Sequence, residues 1–311
     1  MSTLPVIAAV DGSDGSLRAL DWALDAARGR RAPLRVVHVR QYAAWARPDV
    51  LAAGPPESDR DSVLDLARTR VAEIADPPAT EYLALEGAPP ALLPELGSTA
   101  QLLVLGSRGR GGFAGLLLGS NGMAAARDAE CPVVVVPRPG RDGGTSHAFR
   151  AVGEDSRTPA EPGPRVVVGL QADSPDETTL AFAFTETALR GARLQVVTAY
   201  QWPLQTWAMP GELVPVMIDQ DAVERETRTL AEGFLAPHRE RHAGVRVDLR
   251  VAPGDAAGQL VGASEGAELV VVGRHRRRLL APARMMGSVT HAVLLHAASP
   301  VAVVPPGSGN A

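Results

Sequence analysis

Apolar residues fall along the chain in short unbroken runs, separated by stretches where they recur every three or four positions. The run VIAAV at Val6–Val10 breaks into the turn DGSDGS, the pattern of a buried strand and the bend after it. Beyond the turn Leu20, Ala23, Leu24 and Ala27 repeat at helical spacing, and Ser16 is placed to cap that helix. LRVVHV at Leu34–Val39 predicts a second strand. Val63, Leu66, Ala67, Val71 and Ile74 predict a helix within Ser58–Ile74, and Glu81–Leu85 a third strand. A short helix at Ala91–Leu96, a strand at Leu102–Leu105, a helix at Ser120–Asp128 and a strand at Val133–Val136 complete the unit. Fully apolar strands alternating with helices predict a five-stranded parallel sheet covered by helices on both faces. In such a sheet ligands bind beyond the C-terminal ends of the strands, where the strand order reverses.

The whole pattern then occurs a second time. Leu20 falls on Leu180, Trp22 on Phe182 and Leu34 on Leu194, so that LRVVHV overlies LQVVTA. Further on, LLVLG ending at Gly106 matches LVVVG ending at Gly273, and CPVVVVP from Cys131 matches SPVAVVP from Ser299. Gly140–Gly163 carries Gly, Pro, Ser and charge without apolar periodicity, the composition of a flexible linker. The expected organisation is therefore a domain at residues 1–139, a linker at 140–163 and a second domain at 164–306.

A chain of 311 residues with 45% hydrophobic and 21% charged residues has the length and composition for two folded domains. A net charge of −4 argues against a nucleic-acid surface. No apolar run reaches the roughly 20 residues needed to span a bilayer. The start, MSTLPVIAAVDG, lacks the basic region and apolar core of a secretion signal, so a cytoplasmic protein is expected. Cys131 is the one cysteine, which removes an internal disulfide and a cysteine metal site. All 31 basic residues are arginine. Without lysine there is no Walker A phosphate loop, no kinase strand lysine and no Schiff base.

The test of ligand chemistry is whether polar candidates cluster after strands, and they do. The fourth strand runs into GSRGRGGFAGLLLGSN, with spacing Gly106-x2-Gly109-x9-Gly119-Ser120. Glycines let backbone N–H groups approach phosphate oxygens, and a helix opening at Gly119-Ser120 offers unpaired N–H groups and a positive dipole end. Ser120 is placed to add a hydroxyl, and Arg108 and Arg110 to supply charge. After the first strand, Asp11 and Gly12 stand at the same sheet edge.

This segment resembles the ATP-binding signature of the universal stress proteins, G-x2-G-x9-G followed by Ser or Thr, and the likeness extends over both halves. The resemblance implies two Rossmann-like domains of the adenine nucleotide α-hydrolase-like type. It implies that ATP, with Mg, is the cofactor, that Asp11 lies by the adenosine part, and that the backbone at Val39 meets adenine. Asn121 stands where the family has an apolar residue. It further implies pairing of the two domains through the strand-five edges VVVV and VAVV, with a homodimer and an unidentified protein partner left open. The second copy departs from the signature. Gly273, Gly287 and Ser288 are kept, but Arg276 replaces the second glycine, Gln171 replaces Asp11, and the loop GRHRRRLLAPARMMGS is one residue longer and far more basic. A bulky residue there obstructs phosphate, while several arginines attract an anion.

Other chemistry-bearing residues read as structural. His238 and His242 share i,i+4 spacing without the glutamate of a zinc HExxH helix, and suit a solvated helix face. His291 and His296 lie on a helix far in sequence from Cys131, itself a small buried thiol beside a strand. Trp202 and Trp207 suit either an adenine-side wall or a core cover, and Arg274–Arg278 a solvated or anion-facing loop. Three functions follow: a regulatory protein holding ATP in the first domain, with slow hydrolysis at most; an enzyme of a related fold, for which HxGH, SGGxDS and GxGxxG are all missing; and a ligand-free pairing or scaffold protein.

Overall fold

A computed structural model describes residues 4–41, 60–109, 118–138, 163–200, 219–274 and 286–307. Arg110, Trp202, Trp207, Arg276–Arg278, the start of the Ser58–Ile74 helix and nearly all of 140–163 lie outside the described residues. The first half runs β1 (Val6–Ala9), α1 (Asp14–Arg30), β2 (Leu34–Arg40), α2 (Ser62–Ala72), β3 (Thr80–Glu86), α3 (Pro89–Glu95), β4 (Leu102–Gly106), α4 (Ser120–Asp128) and β5 (Val133–Val136). The second half repeats the order: β6 (Arg165–Gly169), α5 (Glu177–Arg190), β7 (Arg193–Tyr200), α6 (Gln220–Arg241), β8 (Val247–Pro253), α7 (Ala256–Ser264), β9 (Leu269–Gly273), α8 (Ser288–His296) and β10 (Val301–Val304).

Every strand pair within a half is parallel, as unbroken apolar strands require. The two halves join into one ten-stranded sheet in the order β3-β2-β1-β4-β5-β10-β9-β6-β7-β8. The seam is antiparallel, with Val301 opposite Val135, Ala302 opposite Val134 and Val303 opposite Val133. All eight residues of β5 and β10 are buried, so the seam removes two apolar edges from water. Two core layers result. One packs Leu20, Leu24, Val63 and Leu64 of α1 and α2 with Leu180, Phe184 and Leu235 of α5 and α6. The other packs Leu93, Ala125, Leu260 and Val293 of α3, α4, α7 and α8 on the opposite face.

The elements differ from the sequence expectation mainly at their caps. Ser13, not Ser16, caps α1: its Oγ accepts the Ser16 N–H at 3.2 Å, which starts the helix earlier. Helix α2 begins at Ser62, where Asp61 accepts the N–H groups of Val63 and Leu64. Far from a solvated face, His238 is fully buried, stacked on Phe184 at 5.1 Å.

Across the seam α1 and α5 meet at one buried carboxylate. Glu186, 1% exposed, pairs with Arg30 from the first half and with Arg190 at 3.2 Å from its own helix. Arg190 also lies over the Trp22 ring at 4.9 Å. The matched registers Val6 with Leu34 and Val166 with Leu194 make Arg30 and Arg190 equivalent positions. The residue equivalent to Glu186 in the first half is Ala26. Two like arginines therefore share Glu186, which comes from one half only, and Arg190 also reaches Glu268 at 4.0 Å.

Candidate functional site

Strand order reverses between β1 and β4, and the loops leaving these two strands carry most of the predicted site residues. Leaving β1, Asp11 closes an Asx turn: its Oδ1 accepts the Ser13 N–H at 3.0 Å and the Ser13 hydroxyl at 2.6 Å. Gly12 has φ of 76°, a left-handed conformation that favours glycine. Leaving β4, Gly109 comes so close to Asp11 that a Cβ on it would stand 2.3 Å from Asp11 Oδ2. The second glycine of the motif and the acid after β1 are thus in direct apposition.

Gly106 plays a different part. A Cβ there would lie 2.7 Å from the carbonyl carbon and oxygen of Gly15, inside the first turn of α1. Gly15 in turn approaches the Arg108 carbonyl, 3.0 Å from its own absent Cβ. Both glycines serve close packing of α1 on the end of β4. Gly15 was not among the predicted residues, although the pair of glycines in DGSDGS was its signal.

Gly119 caps α4 with extended backbone at φ −78° and ψ 158°, and it donates its N–H to the Ser107 carbonyl at 2.8 Å. No side chain caps α4, unlike α1, α2, α5, α6 and α7, which carry Ser13, Asp61, Asp176, Asp219 and Asp255. The first-turn N–H groups of Ser120, which is exposed, and of Asn121 therefore receive no capping side chain. Arg108 has a buried Nε without a hydrogen-bond partner, a donor sheltered from water beside this rim.

Val39 is buried near the end of β2, where Gly87 donates to the Arg40 carbonyl at 3.1 Å. Beside it stands a pair that sequence reasoning missed. His38 Nδ1 lies 2.7 Å from Asp61 Oδ2, and Asp61 also caps α2. Burial works to raise the Asp61 carboxyl, but the His38 hydrogen bond and the Leu64 and Val63 N–H groups prevail and hold it below its ordinary value. An ionised Asp61 makes Nδ1 the donor and leaves Nε2 for another partner. The missed signal was Asp61 immediately before an apolar helical pattern.

The second half builds the same rim with other groups. The first turn of α1 has no counterpart: α5 opens only at Glu177, with Pro175 at the position of Gly15. Asp176 caps α5, and a Cβ on Gly273 would meet Thr179 Oγ1 at 2.8 Å and Asp176 Oδ2 at 3.1 Å. A capping carboxylate therefore stands at the end of β9, where the first half packs the Gly15 backbone against Gly106. Gly307 lies against the same turn, 2.6 Å from Thr178 Oγ1 to its absent Cβ. Gly287 caps α8 without a side-chain bond, Ser288 is exposed, and Thr290 Oγ1 donates to the Gly273 carbonyl at 2.8 Å. Arg274, expected in a solvated or anion-facing loop, instead donates to the Ala129 carbonyl at 2.7 Å and to Ala126 at 3.5 Å, in the first half. Burial pushes the nearby Cys131 thiol up to about 12, as suits an inert core thiol.

Two Rossmann-like units joined edge to edge in one sheet define a class of doubled α/β proteins. The family model described as "Universal stress protein family" matches residues 4–137 and 164–305, and the chain belongs to this family. A universal stress protein of Mycobacterium tuberculosis is 32% identical over 306 residues, covering 96% of each chain. Another from the same organism is 30% identical over 319 residues, covering 97% of this chain and 96% of that one. The crystal structure of a universal stress protein from Archaeoglobus fulgidus superposes with a TM-score of 0.65 at 18% identity, covering 99% of this chain and all of that one. Among the described residues no helix is long and apolar enough to cross a membrane.

Proposed function

We propose that this chain is an ATP-binding regulatory protein of the stress response that holds one nucleotide, in the domain at residues 1–139. The observation that carries this reading is the apposition of Gly109 and Asp11 at the β1/β4 switch point, next to an α4 start with no capping side chain. In this reading Asp11 accepts hydrogen bonds from the ribose hydroxyls, and the backbone at Val39 meets adenine. The phosphates lie on the Gly109 and Gly119 backbone and on the Ser120 and Asn121 N–H groups, with Arg108 nearby. Mg accompanies the phosphates as their counterion. The domain at 164–306 contributes no second nucleotide. Arg276 stands where the first domain has Gly109, and a bulky residue there obstructs phosphate, while Gln171 replaces Asp11.

Isothermal titration of ATP into the purified chain tests the reading, together with identification of any nucleotide released on denaturation. The expected result is one ATP per chain, and Gly109→Arg abolishes it. Two ATP per chain overturns the assignment to one domain, and no binding at millimolar ATP overturns the function.

A further inference from the structure

Gly106 and Gly273 end equivalent strands, so Ser107 and Arg274 are equivalent residues of the two repeats. Their backbones behave alike: Ser107 N–H donates to the Val136 carbonyl at 2.9 Å, and Arg274 N–H to the Val304 carbonyl at 2.7 Å. Yet they hold opposite ends of one helix. The Ser107 carbonyl receives the Gly119 N–H at the start of α4. The Arg274 guanidinium reaches across the seam to the Ala126 and Ala129 carbonyls at its finish. This is geometrically consistent because α4 runs back along the sheet, and the antiparallel seam brings the C-terminal end of β9 to where α4 stops.

Helix α4 needs such an anchor. It has only nine residues, SNGMAAARD, and its first turn holds Ser, Asn and Gly, poor helix formers, with no capping side chain. Its buried contacts are small, from Ala124, Ala125 and Ala126. A guanidinium on the last carbonyls closes otherwise unpaired acceptors and suits the negative end of the dipole.

We propose that Arg274 is a positioning residue for the phosphate end of the first domain's site, acting through α4. The second domain, having lost the glycine code of its own loop, uses that loop's first residue to steady its neighbour's phosphate helix. The inference rests on the reading of the first domain as a nucleotide site.

The test is titration of ATP and of adenosine into full-length wild type, Arg274→Met and Arg274→Lys. In Arg274→Met ATP affinity falls about fivefold while adenosine affinity is unchanged, because adenosine does not touch α4, and Arg274→Lys recovers part of the loss. Unchanged ATP affinity overturns the inference, and so does an equal loss for both ligands, which marks a general structural role. A wild type that binds neither ligand overturns the nucleotide reading itself, before any substitution is made, and the inference falls with it. Amide hydrogen exchange over residues 120–128 without ligand is the second readout. Faster exchange in Arg274→Met is expected, and identical exchange overturns the link through α4. Where Arg274→Met does not fold, Arg274→Lys carries both readouts.

Discussion

The glycines of one motif do different work, and single substitutions separate them. At Gly109 a methyl group meets a side-chain atom, Asp11 Oδ2, which yields at the expense of the Ser13 bonds to Oδ1; at Gly106 it meets the backbone of Gly15, which cannot move without the helix. Gly109→Ala is therefore expected to weaken ATP binding about tenfold with a smaller loss of stability than Gly106→Ala. Gly106→Ala is expected to cost about 1–3 kcal/mol of stability, read by urea unfolding, whether or not nucleotide is present. Equal stability losses in the two variants count against this division. The spacing G-x2-G-x9-G was legible in the sequence, and so was the company of Asp11. The separation of roles was not, because glycine spacing records that a side chain is missing and not what fills its place. Gly15 escaped for the same reason: its partner, the Arg108 carbonyl, lies far along the chain.

Among the elements, strands were read most securely, since a run such as VVVV has few other ways to be buried. Helix starts were read less well, because several serines and acids precede each helix and only geometry selects one: Ser13 over Ser16, and Asp61 within DRDS. Asp61 does more than cap, since it also fixes His38. Its carboxyl is held below the ordinary value, so its contribution is complete above about pH 4 and is lost as pH falls through the lower folded value. Asp61→Asn keeps a capping oxygen and removes the charge. It is expected to lower stability at pH 7 by about 1 kcal/mol, with the difference from wild type closing in acid. A difference independent of pH over that range counts against the linkage. The contrast between α1 and α5 is also an element-scale fact: Pro175 at the position of Gly15 and a cap at Asp176 shorten α5 by most of a turn, and the second rim changes character with it.

For the whole molecule, the doubled fold followed from the repeat, and the meeting of β5 with β10 from what the family resemblance implies for two apolar edge strands. The buried charge between α1 and α5 did not, since pairing a residue of one repeat with a residue of the other requires the seam in three dimensions. Glu186 is 1% exposed and serves Arg30 and Arg190 together. Glu186→Gln leaves two arginines facing a neutral group and is expected to cost about 3 kcal/mol, with the ATP stoichiometry unchanged. A loss below about 1 kcal/mol, the scale of a surface pair, counts against that arrangement. Because Ala26 occupies the place of Glu186 in the other repeat, the halves are as unlike at this point as lock and key. Two first halves set together would bring two arginines, one Arg30 from each, to an empty seat, whereas two second halves would each bring a Glu186 already paired with its own Arg190. The first half is therefore built to prefer the second over its own twin. A chain severed between the halves would keep its identity as a mated pair, with partner choice written in side chains and not in the peptide that joins them.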